Sequence, residues 1–600
     1  MTIPAPRWDL SNVYPSLASS EFKAAVAEYG KQVAELQDYF DEVVTKATAN
    51  TAPKELASII GDVVDRFNRA ETLSATIGPF INSYATTDSR DKLAMKTRSE
   101  FEQASLPMDK LNVQFTAWLG KIASALDESL KHNLTAQAHA FMLKEAAEQS
   151  QYLMSEVEEE LASELNLSGG NAWNKLQGTI TSQLSVDFEL DGDTQKLPMP
   201  ALINLRTHPD EDTRHRAYEA ENKAWDSVRE TLAACMNGVK GQMITLNKRR
   251  GRQDALHSAL DQARIDRETL EAILGAMQAS FPMFRKYFNH KAKLIGKEKL
   301  AWWDLFAPVG KADTRYSFEE ARDFILAAFD QFSPELCTFA DRAFHHNWID
   351  AEMREGKRGG GFCMQVQGVK ESRILVNFDG SQDQLSTIAH ELGHAFHNEC
   401  AYQFDKTALQ QITPMTLAET ASTFCEMIVT EEVLSQVEDP QEELAVLEGQ
   451  LAGAAQVIVD IYSRYLFEKE VFERREAAEL SADDFCEIME RAQKAAYGDG
   501  LDERYLQKYM WTWKPHYYFT GLSFYNFPYA FGFLFGTGLY AIYRQRGAAF
   551  VDDYKALLAS TGEASAADLA ARFGIDIRTR KFWEDSLAII GKRVDRYCEL

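Results

Sequence analysis

Apolar residues recur at three- and four-residue steps along most of this chain, and that helical period confines it to a mainly α fold. Ser20–Lys46 and Ala136–Leu165 show it most plainly, being rich in Ala, Glu, Leu, Lys and Gln. Ser168-Gly169-Gly170-Asn171 is expected to end the second of these helices. The period then changes to two: Leu184, Val186, Phe188 and Leu190 alternate with polar residues and run into an Asp191-Gly192 turn, as in a hairpin. Leu197-Pro198-Met199-Pro200 interrupts the pattern, and a lobe boundary is expected there. It separates a helical lobe over 1–195, with the hairpin near its end, from a domain over 196–600. Six hundred residues exceed what one core needs, so two lobes are reasonable. Gly356–Gly361 must be a loop. Two short strands are expected at Phe362–Gln367 and Arg373–Phe378, and everything after Ser381 reads as helix.

The formal net charge of −26 repels phosphate backbones and anionic lipid, so neither nucleic acid nor a membrane surface is an expected partner. Seven cysteines without a CxxC pair indicate reduced thiols, neither a disulfide framework nor a cysteine metal site. The opening Met-Thr-Ile-Pro-Ala-Pro-Arg-Trp-Asp lacks a charged leader followed by an apolar run, so no signal peptide is expected, and the cytoplasm is the expected compartment. Phe519–Tyr543 carries no charge and is long enough to span a bilayer. Its Asn526, Pro528, glycines and tyrosines read instead as a buried aromatic wall.

His390-Glu391-Leu392-Gly393-His394 is an HExxH motif. On a helix, positions four apart share a face, so both imidazoles can bind one tetrahedral zinc ion. Glu391 is offset enough to reach a metal-bound water and take its proton, which makes the expected reaction amide hydrolysis. Ser381 and Gln384 offer a capping box, and Leu385, Ile388, Ala389, Leu392 and Ala395 an apolar face, so the segment reads as helical. A catalytic zinc needs a third protein ligand and an open position. The next predicted helix, Met415–Val433, is expected to begin with Thr413 as cap and Pro414 in its first turn. It offers Glu419 among the small residues Ala418, Thr420, Ala421 and Ser422, which permit a close approach. Glu426, two turns on, is placed to orient a histidine. His397 returns to the face of His394, but three nitrogens nearly in line along one helix make a poor tetrahedron. A packing or orienting role suits it better.

Gly359-Gly360-Gly361-Phe362-Cys363, Ile374–Phe378, Thr387–His397 and Ala418–Glu426 together resemble the oligoendopeptidase F family, relatives of thimet oligopeptidase. Trp8-Asp9-Leu10-Ser11-Asn12-Val13-Tyr14 extends the resemblance. It implies a two-lobed helical zincin-like fold with a deep substrate channel and a small sheet near the active site. It also implies Glu419 as third ligand and one zinc ion per chain. Gly360, Gly361, Phe362 and Cys363 become an edge strand that pairs with an extended substrate. The family draws its oxyanion donors from a late segment, which points to His516 and Tyr525, and to Tyr529 displaced by one position. The function so implied is endoproteolysis of short oligopeptides. An exopeptidase on the same scaffold, with Arg358 holding the substrate carboxylate, is the nearest alternative. A non-catalytic peptide binder with a structural zinc is a further one.

Overall fold

Helical periodicity becomes long helices: Pro53–Thr87, Lys92–Lys121, Glu211–Arg249 and Arg267–Leu294. The computed structural model describes residues 5–311 and 314–600, so the first four residues of the N-terminal stretch read above lie outside it. Helices stop where a side chain offers the backbone another partner. The expected Ser20–Lys46 helix ends at Glu42 and closes with a 3-10 turn. The expected Ala136–Leu165 helix is instead Leu134–Ala138, Ala140–Gln149 and Glu156–Ser168. Ser155 and Glu158 cap the last piece reciprocally and so restart it after the break. Gly169 ends that piece as expected, but Gly170–Gln183 begins a new helix at once. Strands β1 (Ser185–Leu190) and β2 (Asp193–Pro198) form the expected hairpin. Asp191 (φ 55°) and Gly192 (φ 86°) both lie in the left-handed region that a tight two-residue turn requires.

By contacts the chain divides into two compact units, each built from three segments. One comprises Met1–Leu153, Thr314–Val433 and Ile542–Gly574; the other comprises Met154–Asp313, Leu434–Ala541 and Ile575–Leu600. The contacts thus do not divide at a single point near 195. An interrupted pattern marks a turn in the chain, whereas a unit is set by which distant helices pack together.

In the first unit Ser20–Glu42, Pro53–Thr87 and Lys92–Lys121 pack around Leu36, Ile60, Phe67, Leu111 and Leu119. A small sheet follows: β3 (Ile349–Asp350) runs parallel to β5 (Glu371–Leu375), and β4 (Phe362–Val366) pairs antiparallel with β5. The order β3-β5-β4 leaves β4 at an edge. The expected second strand, Arg373–Phe378, is offset because Lys370 (φ 51°) ends a 3-10 turn and pairing starts at Glu371. Val376 and Phe378 continue as irregular chain, donating to the Asp350 and Ala351 carbonyls.

In the second unit Arg267–Leu294 packs along Arg580–Tyr597, and Pro440–Ala455 joins Ile461–Arg475 through a π-helical turn at Gln456–Asp460. That joined run is apolar enough to match a membrane span by composition, yet 61% of its most apolar window is buried within the protein. Most of the uncharged 519–543 stretch lies in the helix Phe527–Arg546. Phe531 meets Trp583 edge-on at 5.0 Å, and a Cβ on Gly538 would lie 2.5 Å from Phe582 and Ser586. The seven cysteines are all free.

Candidate active site

The HExxH motif lies on the helix Gln382–Gln403, whose buried face includes Leu385, Ile388, Ala389, Leu392 and Phe396. Only half of the expected capping box forms. Ser381 Oγ accepts from the Gln384 amide at 3.3 Å, but the Ser381 amide donates to Asp379 Oδ1 at 2.8 Å, which leaves the Gln384 side chain nothing to cap.

The second helix also departs from expectation. Pro414 is the extended N-cap of a single turn, Met415–Ala418, and helix resumes over Thr420–Gln436. Thr413 caps nothing; its hydroxyl meets that of Thr561 at 2.8 Å. Glu419 stands at the break, with φ −87° and ψ 4°. The close approach inferred from small residues is real, and its sharpest point is Gly393. A Cβ there would lie 2.5 Å from the Ala421 carbonyl oxygen and 2.6 Å from Ser422 Cα, backbone atoms that cannot yield cheaply.

This packing brings His390, His394 and Glu419 together; among the described residues they form the one cluster with metal-ligand geometry. Glu419 Oε2 lies 3.2 Å from His390 Nε2 and 3.4 Å from His394 Nε2. Ligands at about 2.1 Å around a tetrahedral zinc are roughly 3.4 Å apart, so the donor set fits that ion. His390 Nδ1 sits 3.2 Å from Glu426 Oε2, so its proton donates there and Nε2 turns a lone pair toward Glu419. The cluster calls for positive charge at its centre. Burial opposes a charge on His390, yet Glu419 and Glu426 push its pKa up to about 10. Glu419, buried too, is held far below the usual carboxylate range by the two histidines. The Ser422 hydroxyl, 2.7 Å from Glu419 Oε2, fixes that oxygen. His397 turns away: its Nε2 meets the Leu558 carbonyl at 3.0 Å and Thr561 Oγ1 at 2.9 Å.

Glu391 is buried beside this cluster, and its Oε2 has no hydrogen-bond partner. Burial raises its pKa, partly countered by His394 and His390. The edge strand approaches it closely, since a Cβ on Gly361 would lie 3.1 Å from Glu391 Oε1. Gly360 (φ 83°) turns the chain into β4, and Asn377 Nδ2 holds the loop through the Arg358 and Gly360 carbonyls, 3.0 Å from each. Burial and the Glu391 carboxylate keep the Cys363 thiol protonated, and Arg358 lies over the Phe362 ring at 5.6 Å.

His516, Tyr525 and Tyr529 belong to the second unit and form a cluster of their own. Tyr525 stacks on His516 at 5.6 Å, and its hydroxyl meets that of Tyr529 at 2.6 Å. Arg464 donates to Asn526 Oδ1 at 3.2 Å, so the Asn526 amide donates to His516 Nε2 at 2.7 Å and the imidazole proton sits on Nδ1. Burial, with Arg464 and Lys514 nearby, drives the His516 pKa far down, so the ring is neutral. Phe524, immediately before Tyr525, holds φ 52°, a costly conformation for a bulky residue. Phe524 and Asn526 stand in the late segment that the sequence singled out, but the strained backbone of the one and the hydrogen bond of the other to His516 had no signal in it.

The sequence profile of peptidase family M3 matches residues 204–589, more than half of the chain and all of the metal cluster; the profile described as Oligopeptidase F matches residues 123–185. The chain belongs to peptidase family M3. This M3 peptidase is 23% identical over 475 residues to Oligopeptidase PepF of Bacillus subtilis (strain 168), across 78% of its own length and 70% of the relative's. Its fold matches the crystal structure of oligoendopeptidase-F from Enterococcus faecium with a TM-score of 0.70 at 18% identity, covering 96% and 98% of the two chains. A solved protein from Chlamydophila abortus matches over 100% of both chains, with a TM-score of 0.82 at 17% identity. The M3 peptidase is therefore a metalloendopeptidase of mainly helical fold.

Proposed function

We propose that this M3 peptidase cuts internal bonds of short oligopeptides in the cytoplasm, using one zinc ion per chain held by His390, His394 and Glu419. The observation that carries this reading is the facing of three ligand atoms at 3.2 and 3.4 Å beside a buried, unpartnered carboxylate oxygen of Glu391. Zinc, when bound, supplies a Lewis acid that polarises the scissile carbonyl and acidifies a water.

The chain's own residues do the rest. Glu391 takes a proton from the attacking water and returns it to the leaving amide nitrogen; burial, by raising its pKa, suits it to both directions. Glu426 fixes the tautomer of His390. An extended peptide pairs with the open edge of β4 at Phe362 and Cys363, and Gly360 and Gly361 keep that edge clear of side chains. Backbone pairing reads chain direction and asks little of side-chain identity, which suits a general peptide-degrading enzyme. The oxyanion falls to Tyr525 or His516, with Tyr529 braced against Tyr525; the resemblance to oligoendopeptidase F and the neutral, oriented imidazole support these roles.

A peptide blocked at both ends tests the reading. Mass spectrometry should find internal cleavage, abolished by chelation and restored by zinc. Turnover that survives complete metal removal would overturn it, and a requirement for a free terminus would move the enzyme to the exopeptidases.

A further inference from the structure

The helix Glu156–Ser168, in the second unit, is built inside out. A helix lying on a folded body ordinarily turns its apolar stripe inward and its polar face to water. Here Val157, Leu161 and Leu165, four residues apart and so on one face, are 75%, 53% and 59% exposed, and no residue of the helix is buried. The side that touches the body is polar. Glu159 pairs with Arg250 at 2.6 Å, and Asn166 Oδ1 accepts from Gln242 Nε2 at 2.6 Å. Glu159, Ala162 and Asn166 are its half-buried positions, and their three- and four-residue steps make a separate face of the same helix.

A third row flanks the apolar one. Glu160 follows Val157 by three residues and Glu164 follows Leu161 by three, the spacing of surface neighbours, and Glu156 continues the row toward the helix start. All three carboxylates are exposed, and among the described residues none pairs with a basic side chain. Glu158, on the other flank, is taken: it caps Ser155 and lies 3.8 Å from Arg249. The surface thus offers an aliphatic row about 12 Å long with unanswered negative charge along one side. Singly scattered aliphatics are ordinary on a surface, whereas a continuous row rimmed by charge marks an interaction site. Charge then decides what covers it. A second copy laid face to face would set its own Glu156, Glu160 and Glu164 against these, and anionic lipid or nucleic acid would be repelled likewise.

We propose that this face of Glu156–Ser168 docks a basic amphipathic peptide, one that presents Lys or Arg along a helix beside a row of aliphatic side chains. Its apolar row covers Val157, Leu161 and Leu165, and its cations answer Glu156, Glu160 and Glu164. An exposed carboxylate holds a cation only weakly in water, so neither row suffices alone. Apolar burial supplies the attraction, and the charges select the partner. That such a peptide is also cut by this enzyme rests on the proteolytic reading above; the docking does not.

The test uses the full-length chain and fluorescence anisotropy with a labelled peptide of about fifteen residues. It is built from leucine, lysine and α-aminoisobutyrate, so that it is helical, two-faced and resistant to cleavage. A scrambled peptide of the same composition and a version with glutamate for lysine are the controls. The two-faced lysine peptide should bind roughly tenfold or more tightly than either control. Glu156→Gln, Glu160→Gln and Glu164→Gln combined, and separately Leu161→Gln with Leu165→Gln, should each weaken it about tenfold. Melting temperatures should stay near the parent's, because all five side chains are exposed. No preference over the scrambled peptide, or binding that survives unchanged in either variant, overturns the docking face. A dimer in sedimentation that Leu161→Gln with Leu165→Gln dissolves would give the row to a second copy and overturn it too. Cleavage of a doubly blocked peptide, followed in parallel, reports on the proteolytic reading independently.

Discussion

Around His390, His394 and Glu419 three electron-pair donors face one another, whereas around Arg206, Arg464 and Lys514 three cations do. In the first, two imidazoles and a carboxylate attract one another around a point where a cation fits; in the second, Arg464 pairs with Asp460 while Arg206 and Lys514 lie over aromatic rings. They differ in how they were assembled. The metal cluster comes from two helices adjacent in the chain, with its tightest contact at Gly393. The cavity that Arg206, Arg464 and Lys514 line gathers residues more than three hundred positions apart, none in a recognisable motif.

The largest expected effect separates the metal from the chemistry. Glu391→Gln should retain the metal while kcat falls about a hundred- to ten-thousandfold, checked by metal analysis beside peptide kinetics. Near-parent activity would leave the first region a binding site only. Glu426→Gln should weaken metal affinity about ten- to a hundredfold, read by competition with a chelating dye, since His390 loses a firm acceptor for its Nδ1 proton. Gly393→Ala should destabilise the first unit by about 3 kcal/mol and lower metal content, because the added methyl forces backbone away from backbone beside Glu419. Urea unfolding with and without metal would show both effects.

An effect confined to a pH window concerns His397. Burial lowers its folded pKa to about 4, against about 6.5 unfolded, so between these values the unfolded chain binds the extra proton. Stability from this group is therefore present above about pH 6.5 and is lost as pH falls toward 4, about 2 kcal/mol between pH 7 and 5. His397→Gln should remove that component; an unchanged pH dependence of the urea midpoint would place the ring elsewhere.

The metal cluster was legible because its information is local. Four-residue spacing on a helix puts the two candidate ligands His390 and His394 on one face, and small residues near Glu419 announce a close helix pair. The break at Glu419 was not legible, because Met415–Val433 reads as one continuous helix and Pro414 can sit either in a first turn or at the extended cap. Gln384 likewise matched a capping pattern, but Asp379 had already taken the amide it would have capped.

The sequence by itself determined the mainly helical build, the Asp191-Gly192 hairpin and the candidate ligand pattern within residues 390–426, since each follows from spacings shorter than a few helical turns. The tertiary structure alone decided how segments combine into two units, that His397 turns to Leu558 and Thr561 while His390 and His394 face Glu419, and that Arg206, Arg464 and Lys514 line one cavity. Periodicity records the face a residue occupies on its own element. Which distant element covers that face is settled by burial and charge summed over the whole chain.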